Sequence, residues 1–163
     1  MEEDGQGRKF MNDKENQEIL VSEGKVFFDS NILIYSVDEK DSRKNEIAMK
    51  LLSNASISKN GIISTQSLQE FYNVATKKLK LSSKVAKNYV ELFSKQFYVT
   101  EISVPLILDA IDISIKTQFS FWDSLILSTA NDSGCIIVYS EDLNNGQIVN
   151  GSKVLNPFGA KVA

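Results

Sequence analysis

Short apolar runs alternate with longer amphipathic stretches along almost the whole chain, and this alternation restricts the fold more than any single motif. KVFFD at residues 25–29, GIIS at 61–64, YVTEI at 98–102 and IIVYS at 136–140 are short, rich in β-branched and aromatic residues, and read as strands. The segments between them are too long for hairpins and carry apolar residues at helical spacing. Ile47, Ala48, Leu51 and Leu52 mark a helix over 43–53, opened by Ser42 or Asp41. Leu68, Phe71, Tyr72 and Ala75 mark another over 66–78, and Val85, Ala86, Tyr89, Val90, Leu92 and Phe93 a third, capped by Ser82 or Ser83. Pro105 opens a helix that runs to Thr117, and residues 121–132 form the next, stopped by Ser133 and Gly134. A brief helical stretch covers 31–37. Strands separated by helices require right-handed crossovers, hence a mainly parallel sheet covered on both faces. The expectation is a three-layer α/β/α fold with a central mainly parallel sheet of four to five strands, the fifth at 153–155.

With 163 residues the chain suits one domain. Residues 1–24 are charged, poor in aromatics and without apolar periodicity, so they read as a disordered leader. The domain then runs over 25–158, with a short tail at 159–163. No apolar run approaches the roughly 20 residues that span a bilayer, and the N-terminus is too charged for a secretory signal. The expected location is the cytoplasm. The lone cysteine, Cys135, precedes an apolar run and reads as a small packing residue. Histidine is absent, which excludes Ser-His-Asp and Cys-His mechanisms and the usual histidine-bearing zinc sites.

Four acids stand at the edges of apolar segments: Asp29 in KVFFDSNILIY, Glu70 in STQSLQEFYNV, Asp123 in FSFWDSLILSTA and Asp142 in IIVYSEDLNNG. In open parallel sheets, sites form at the carboxyl ends of the strands. Asp29 ends the first strand, Asp142 lies just past the fourth, Asp123 falls in the first turn of its helix, and Glu70 about one turn into the helix after the second strand. Taken singly, each has a plain structural reading as a helix cap, a turn residue or a surface acid. Together they reach one end of one sheet. Carboxylates crowded in a pocket without a cationic side chain usually share a metal ion, and with oxygen ligands alone that ion is a hard one, Mg²⁺ or Mn²⁺. Asp109, Asp112, Asp132 and Glu141 read as solvated.

The net charge of −3 carries no strong nucleic-acid signal. Lysines do gather at Lys77, Lys78 and Lys80, followed by Lys84 and Lys87, as a solvated helix face or a phosphate-contacting rim.

In order and spacing, FFDSNILIY, QSLQEFYNV, FWDSLILSTA and VYSEDLNNG resemble the four motifs of the PIN-domain ribonucleases, and within them the VapC-type toxins of toxin–antitoxin pairs. The resemblance runs from about residue 25 to 158. It implies a PIN fold and a metal-dependent endonuclease acting on RNA, with Asp29, Glu70, Asp123 and Asp142 as catalytic and metal-binding acids. Ser140 matches the hydroxyl residue that orients the cluster, and Asn31 the polar position after the first acid. A protein antitoxin is implied as partner, and Lys77, Lys78 and Lys80 stand as candidate RNA-phosphate contacts. Where many relatives carry a second aspartate two positions after the closing acid, this chain has Asn144, which leaves open whether one metal binds or two roughly 4 Å apart. A homodimer is expected, the helices between residues 66 and 96 being rich in apolar and aromatic residues. The rival reading is a PIN-like module that binds RNA or protein without cleaving. Aspartyl-phosphate phosphatases are disfavoured by Asn31, where they need a second aspartate, and receiver-like domains by Ser30, which breaks their acidic pair.

Overall fold

A computed structural model of the protein describes residues 24–159. The proposed leader, apart from Gly24, and all but the first residue of the proposed tail lie outside the described residues. Twelve elements follow in chain order: β1 (Val26–Phe28), α1 (Ser30–Tyr35), α2 (Ser42–Ser58), β2 (Gly61–Ser64), α3 (Thr65–Lys77), α4 (Ser83–Gln96), β3 (Tyr98–Thr100), α5 (Val104–Thr117), α6 (Phe121–Asp132), β4 (Ile137–Tyr139), β5 (Ile148–Val149) and β6 (Ser152–Leu155). The sheet order is β3-β2-β1-β4-β6-β5, with every pairing parallel except β5 with β6. β1 is therefore central, and the crossovers leave it in both directions.

Side-chain alternation along the strands assigns the two faces. Val26 and Phe28 of β1, Ile63 of β2 and Tyr139 of β4 point into a core shared with α1 to α4. Phe27, Ile62 and Val138 point the other way, into a core with Ile113 of α5 and Ile126, Leu127 and Ala130 of α6. This is the expected three-layer arrangement. Cys135 is buried in the second core, and burial pushes its thiol up to about 12, so it is an inert packing residue.

Local signals set the helix starts. The side chain of Asp41 caps α2, Ser82 caps α4 and Ser120 caps α6, each accepting from a backbone N–H in the first turn. Two elements differ from the sequence reading. α2 runs to Ser58, five residues beyond the expected end, because Ala55 is buried near the start of β2, where Gly61 has no room for a side chain. The sheet has six strands among the described residues and not four or five, the addition being β5. Its hairpin to β6 turns on Asn150 and Gly151, both with positive φ, a two-residue connection between paired Val149 and Ser152. No helix among the described residues is long and apolar enough to cross a membrane.

Candidate active site

Strand pairing builds the site from its centre. Phe28 of β1 lies beside Tyr139 of β4 in parallel register, so the residues that follow them, Asp29 and Ser140, emerge side by side. The Asp29 amide donates to the Tyr139 carbonyl at 3.0 Å, and the Ser140 hydroxyl donates to Asp29 Oδ2 at 2.7 Å. Asp29 also caps α1, its Oδ1 accepting from the Ser30 amide at 2.7 Å. One side chain thus ends a strand, starts a helix and receives a neighbouring strand.

From Asp29 the site spreads in two directions. On the β2 side, Ser30 donates to Glu70 Oε2 at 2.6 Å, and Gln66, one turn earlier on α3, donates to Glu70 Oε1 at 2.9 Å. On the β4 side, Asn31 Nδ2 lies 3.2 Å from Asp29 Oδ2 and 3.3 Å from Asp142 Oδ2, donating towards both carboxylates. Ser140 Oγ accepts from the amides of Asp142 and Leu143, which folds the turn after β4 back towards Asp29. Asp123 sits in the first turn of α6, its amide given to Ser120, and its side chain lines a cavity of about 50 Å³ together with Asp142. The structure therefore strings the four acids as neighbours in the order Glu70, Asp29, Asp142, Asp123. Among the described residues no three acids form a closed ion-holding group; Ser30 lies between Asp29 and Glu70, and Asn31 between Asp29 and Asp142.

Burial makes Asp29 the electrostatic focus. It is 4% exposed, whereas Glu70 and Asp123 are half-buried and Asp142 is exposed. Desolvation pushes the Asp29 carboxyl up to about 6; the Ser140 hydroxyl and Ser30 amide pull it down, and the charges of Glu70 and Asp142 add to the push. None of the four acids has an ion-pair partner among the described residues, where the ion pairs are Lys44 with Glu141 and Lys87 with Glu91. Lys77, Lys78 and Lys80 are all exposed. Lys77 lies two turns beyond Glu70 on α3, about 10 Å along the same helix face.

Three contributors carry no signal in the sequence reading. Ser30 and Gln66 hold Glu70, and nothing local marks a serine or glutamine for that task, although Gln66 does stand four residues before Glu70. Glu141 is not the solvated acid that the sequence suggests. Its carboxylate accepts from the Tyr35 hydroxyl at 2.6 Å and from Lys44, partners that come from distant parts of the chain.

The family model for the PIN domain matches residues 26–147. No curated protein sequence matches the chain significantly. Among solved structures the fold is similar to VapC20 of Mycobacterium tuberculosis, described as a Sarcin-Ricin loop cleaving toxin, with a TM-score of 0.60 and 20% identity over 72% of this chain and 90% of that one. It is also similar to a chain of a toxin–antitoxin complex from Klebsiella pneumoniae, with a TM-score of 0.59 and 16% identity over 82% of this chain and 98% of that one. Family model, strand order and the acids gathered around the end of β1 agree: the chain belongs to the PIN domain family.

Proposed function

We propose that this protein is a metal-dependent endoribonuclease and the toxin of a toxin–antitoxin pair. The observation that carries the reading is Asp29, a buried carboxylate flanked by Glu70 and Asp142, none of which has an ion-pair partner among the described residues. Membership of the PIN family and the likeness to two toxin structures support it.

The donor set fits a divalent ion. Every candidate ligand is a carboxylate oxygen, and Asp29 accepts three hydrogen bonds, leaving one of its roughly four lone-pair positions free. Asp29, Glu70, Asp123 and Asp142 would hold Mg²⁺ or Mn²⁺. When bound, such an ion supplies Lewis-acid polarisation of a phosphoryl oxygen and acidifies water. The chain's own residues do the positioning. Ser140 and Asn31 fix Asp29 against Asp142, while Ser30 and Gln66 take up one oxygen each of Glu70. Asp29 must be ionised to bind a cation, so activity should rise with pH, and the cation, by competing with the proton, should move the midpoint below the metal-free value of about 6. Lys77, Lys78 and Lys80 would neutralise backbone phosphates of an RNA crossing the α3 face.

The same reading takes residues 25–158 as the nuclease domain, assigns the protein to the cytoplasm and pairs it with a protein antitoxin. It also makes the protein a homodimer, for which α5 offers a more exposed apolar surface than the helices between residues 66 and 96, where Tyr72, Val85 and Leu92 are 39%, 42% and 44% exposed. Phe71, Ala75, Ala86 and Phe93 of α3 and α4 are core residues. α5 instead carries Val104, Leu108, Ile111 and Ile115 at helical spacing, 68%, 58%, 41% and 66% exposed. That stripe presents on the order of 400 Å², about half of what each partner buries in a standard interface. A second copy, offering the same stripe, suits it.

The decisive experiment incubates purified protein with RNA and Mg²⁺ or Mn²⁺, then repeats the assay with EDTA and with Asp29→Asn. Both changes should abolish cleavage. Cleavage that survives both would sink the proposal, and binding of RNA without cleavage under any condition would favour the non-catalytic module.

A further inference from the structure

Glu141 sits between Ser140, which bonds to Asp29, and Asp142, yet its own side chain turns to a different set of partners. Its Oε2 accepts from the Tyr35 hydroxyl at 2.6 Å and its Oε1 pairs with Lys44 Nζ. Lys44 Nζ also donates to the Tyr35 hydroxyl at 3.1 Å, and lies 4.6 Å from the centroid of the Tyr35 ring and 5.5 Å from that of Phe158. The two rings meet edge to face at 4.9 Å, and Arg43 holds the Phe158 carbonyl at 2.6 Å. The Lys44 and Glu141 side chains are only 16% and 24% exposed, against 72% and 50% for the Lys87–Glu91 pair on α4. A pair so enclosed, with two further hydrogen bonds and two ring faces, holds its geometry, whereas an exposed pair is screened and fluctuates.

The partners come from three separate places: Tyr35 ends α1, Lys44 lies in the first turn of α2, and Glu141 belongs to the turn after β4. α1 begins at the opposite end with Ser30 and Asn31, which touch Glu70, Asp29 and Asp142. We propose that Glu141, Lys44 and Tyr35 form a clamp that holds the turn at residues 140–142, and with it Asp142, onto α1. The clamp works against a definite force. Asp29 and Asp142 repel one another, and apart from the clamp the exposed turn that carries Asp142 is tied to α1 by two long hydrogen bonds, Asn31 Nδ2 to Asp142 Oδ2 at 3.3 Å and the Glu141 amide to Asn31 Oδ1 at 3.4 Å. These three are positioning residues, and their effect on cleavage rests on the endoribonuclease reading.

Amide hydrogen exchange in EDTA tests the clamp without RNA or metal. The amides of Asp142 and Leu143, both given to Ser140 Oγ, report the turn. In Lys44→Met and in Glu141→Gln they should exchange at least tenfold faster, while amides of β1 and β2 keep wild-type protection. The double variant should be no faster than the faster single one, because either change breaks the same pair. In the cleavage assay the Mg²⁺ concentration for half-maximal rate should rise several-fold, with KM for RNA unchanged within twofold. Unchanged exchange at 142 and 143, equal acceleration throughout the fold, or additive effects in the double variant would overturn the clamp. Should the singles fail to fold, Tyr35→Phe removes only the hydroxyl and should accelerate the same two amides about threefold. If Asp29→Asn leaves cleavage untouched, the nuclease reading fails while the exchange result still decides the clamp.

Discussion

At Asp29 a single carboxylate caps a helix, anchors the end of the neighbouring strand β4 through Ser140 and sits buried beside two other acids. Its folded pKa of about 6 stands above the ordinary 3.8, so the fold favours the protonated form. The associated stability is full below pH 3.8 and is lost as pH rises through about 6. By linkage that difference corresponds to about 3 kcal/mol. Denaturant unfolding in EDTA should therefore show wild type losing roughly 2–3 kcal/mol between about pH 4 and pH 8, with Asp29→Asn lacking most of that slope. At pH 8 the variant should equal or exceed wild type in stability. A variant that is much less stable at pH 8 would show that the hydrogen bonds from Ser140 and Asn31 outweigh the buried charge. Asp123 makes a different case. The cap of α6 is Ser120, and Asp123 contributes only the dipole-favoured carboxylate of the first turn. Asp123→Asn should cost under about 1 kcal/mol in the same assay while removing cleavage. The acids themselves were legible because each stands at the edge of an apolar segment; Ser30 and Gln66 were not, because hydroxyls and amides are common on any helix start.

Element boundaries followed their local chemistry. α3 begins with a capping box in which Ser64 accepts from the Ser67 amide and Ser67 reaches back to the Ser64 amide; Ser67 also donates to the Phe28 carbonyl at 3.2 Å. This ties the helix that carries Glu70 to the strand that ends before Asp29. Ser64→Ala should lower stability by about 1–2 kcal/mol in urea unfolding, the upper part of the capping range, because Ser64 is 1% exposed. A cost near zero would mean that Ser67 alone secures the helix start. The two elements that depart from the sequence reading have different causes. The extension of α2 to Ser58 depends on Ala55 packing near β2, a tertiary contact with no local pattern. β5 had a local signal, Asn150-Gly151 between Val149 and a strand, but two residues are too few to show alternation.

At the scale of the whole molecule, charge and apolar surface make separate predictions. Replacing Lys77, Lys78 and Lys80 by glutamate should weaken RNA binding and lower the slope of log K against log[salt] by roughly 0.7–0.9 for each phosphate no longer neutralised, with kcat unchanged. An unaltered salt slope would return these lysines to the solvated helix face. On the far side of the sheet, Leu108→Glu with Ile115→Glu should convert a dimer to a monomer in light scattering; a wild-type protein that is monomeric at high concentration would remove the case for that surface. From sequence alone came the α/β/α class, the parallel crossovers, most helix starts and the placing of four acids at one end of the sheet. Those follow from periodicity, caps and the fixed hand of crossovers, which act over a few residues or apply to every such chain. Which atoms meet was decided only by the tertiary structure. Ser30 and Glu70 are 40 residues apart, Lys44 and Glu141 are 97 apart, and Asn31 and Asp142 are 111 apart. They meet because β1 lies between β2 and β4 and Phe28 stands beside Tyr139, a strand order and register that no local pattern records.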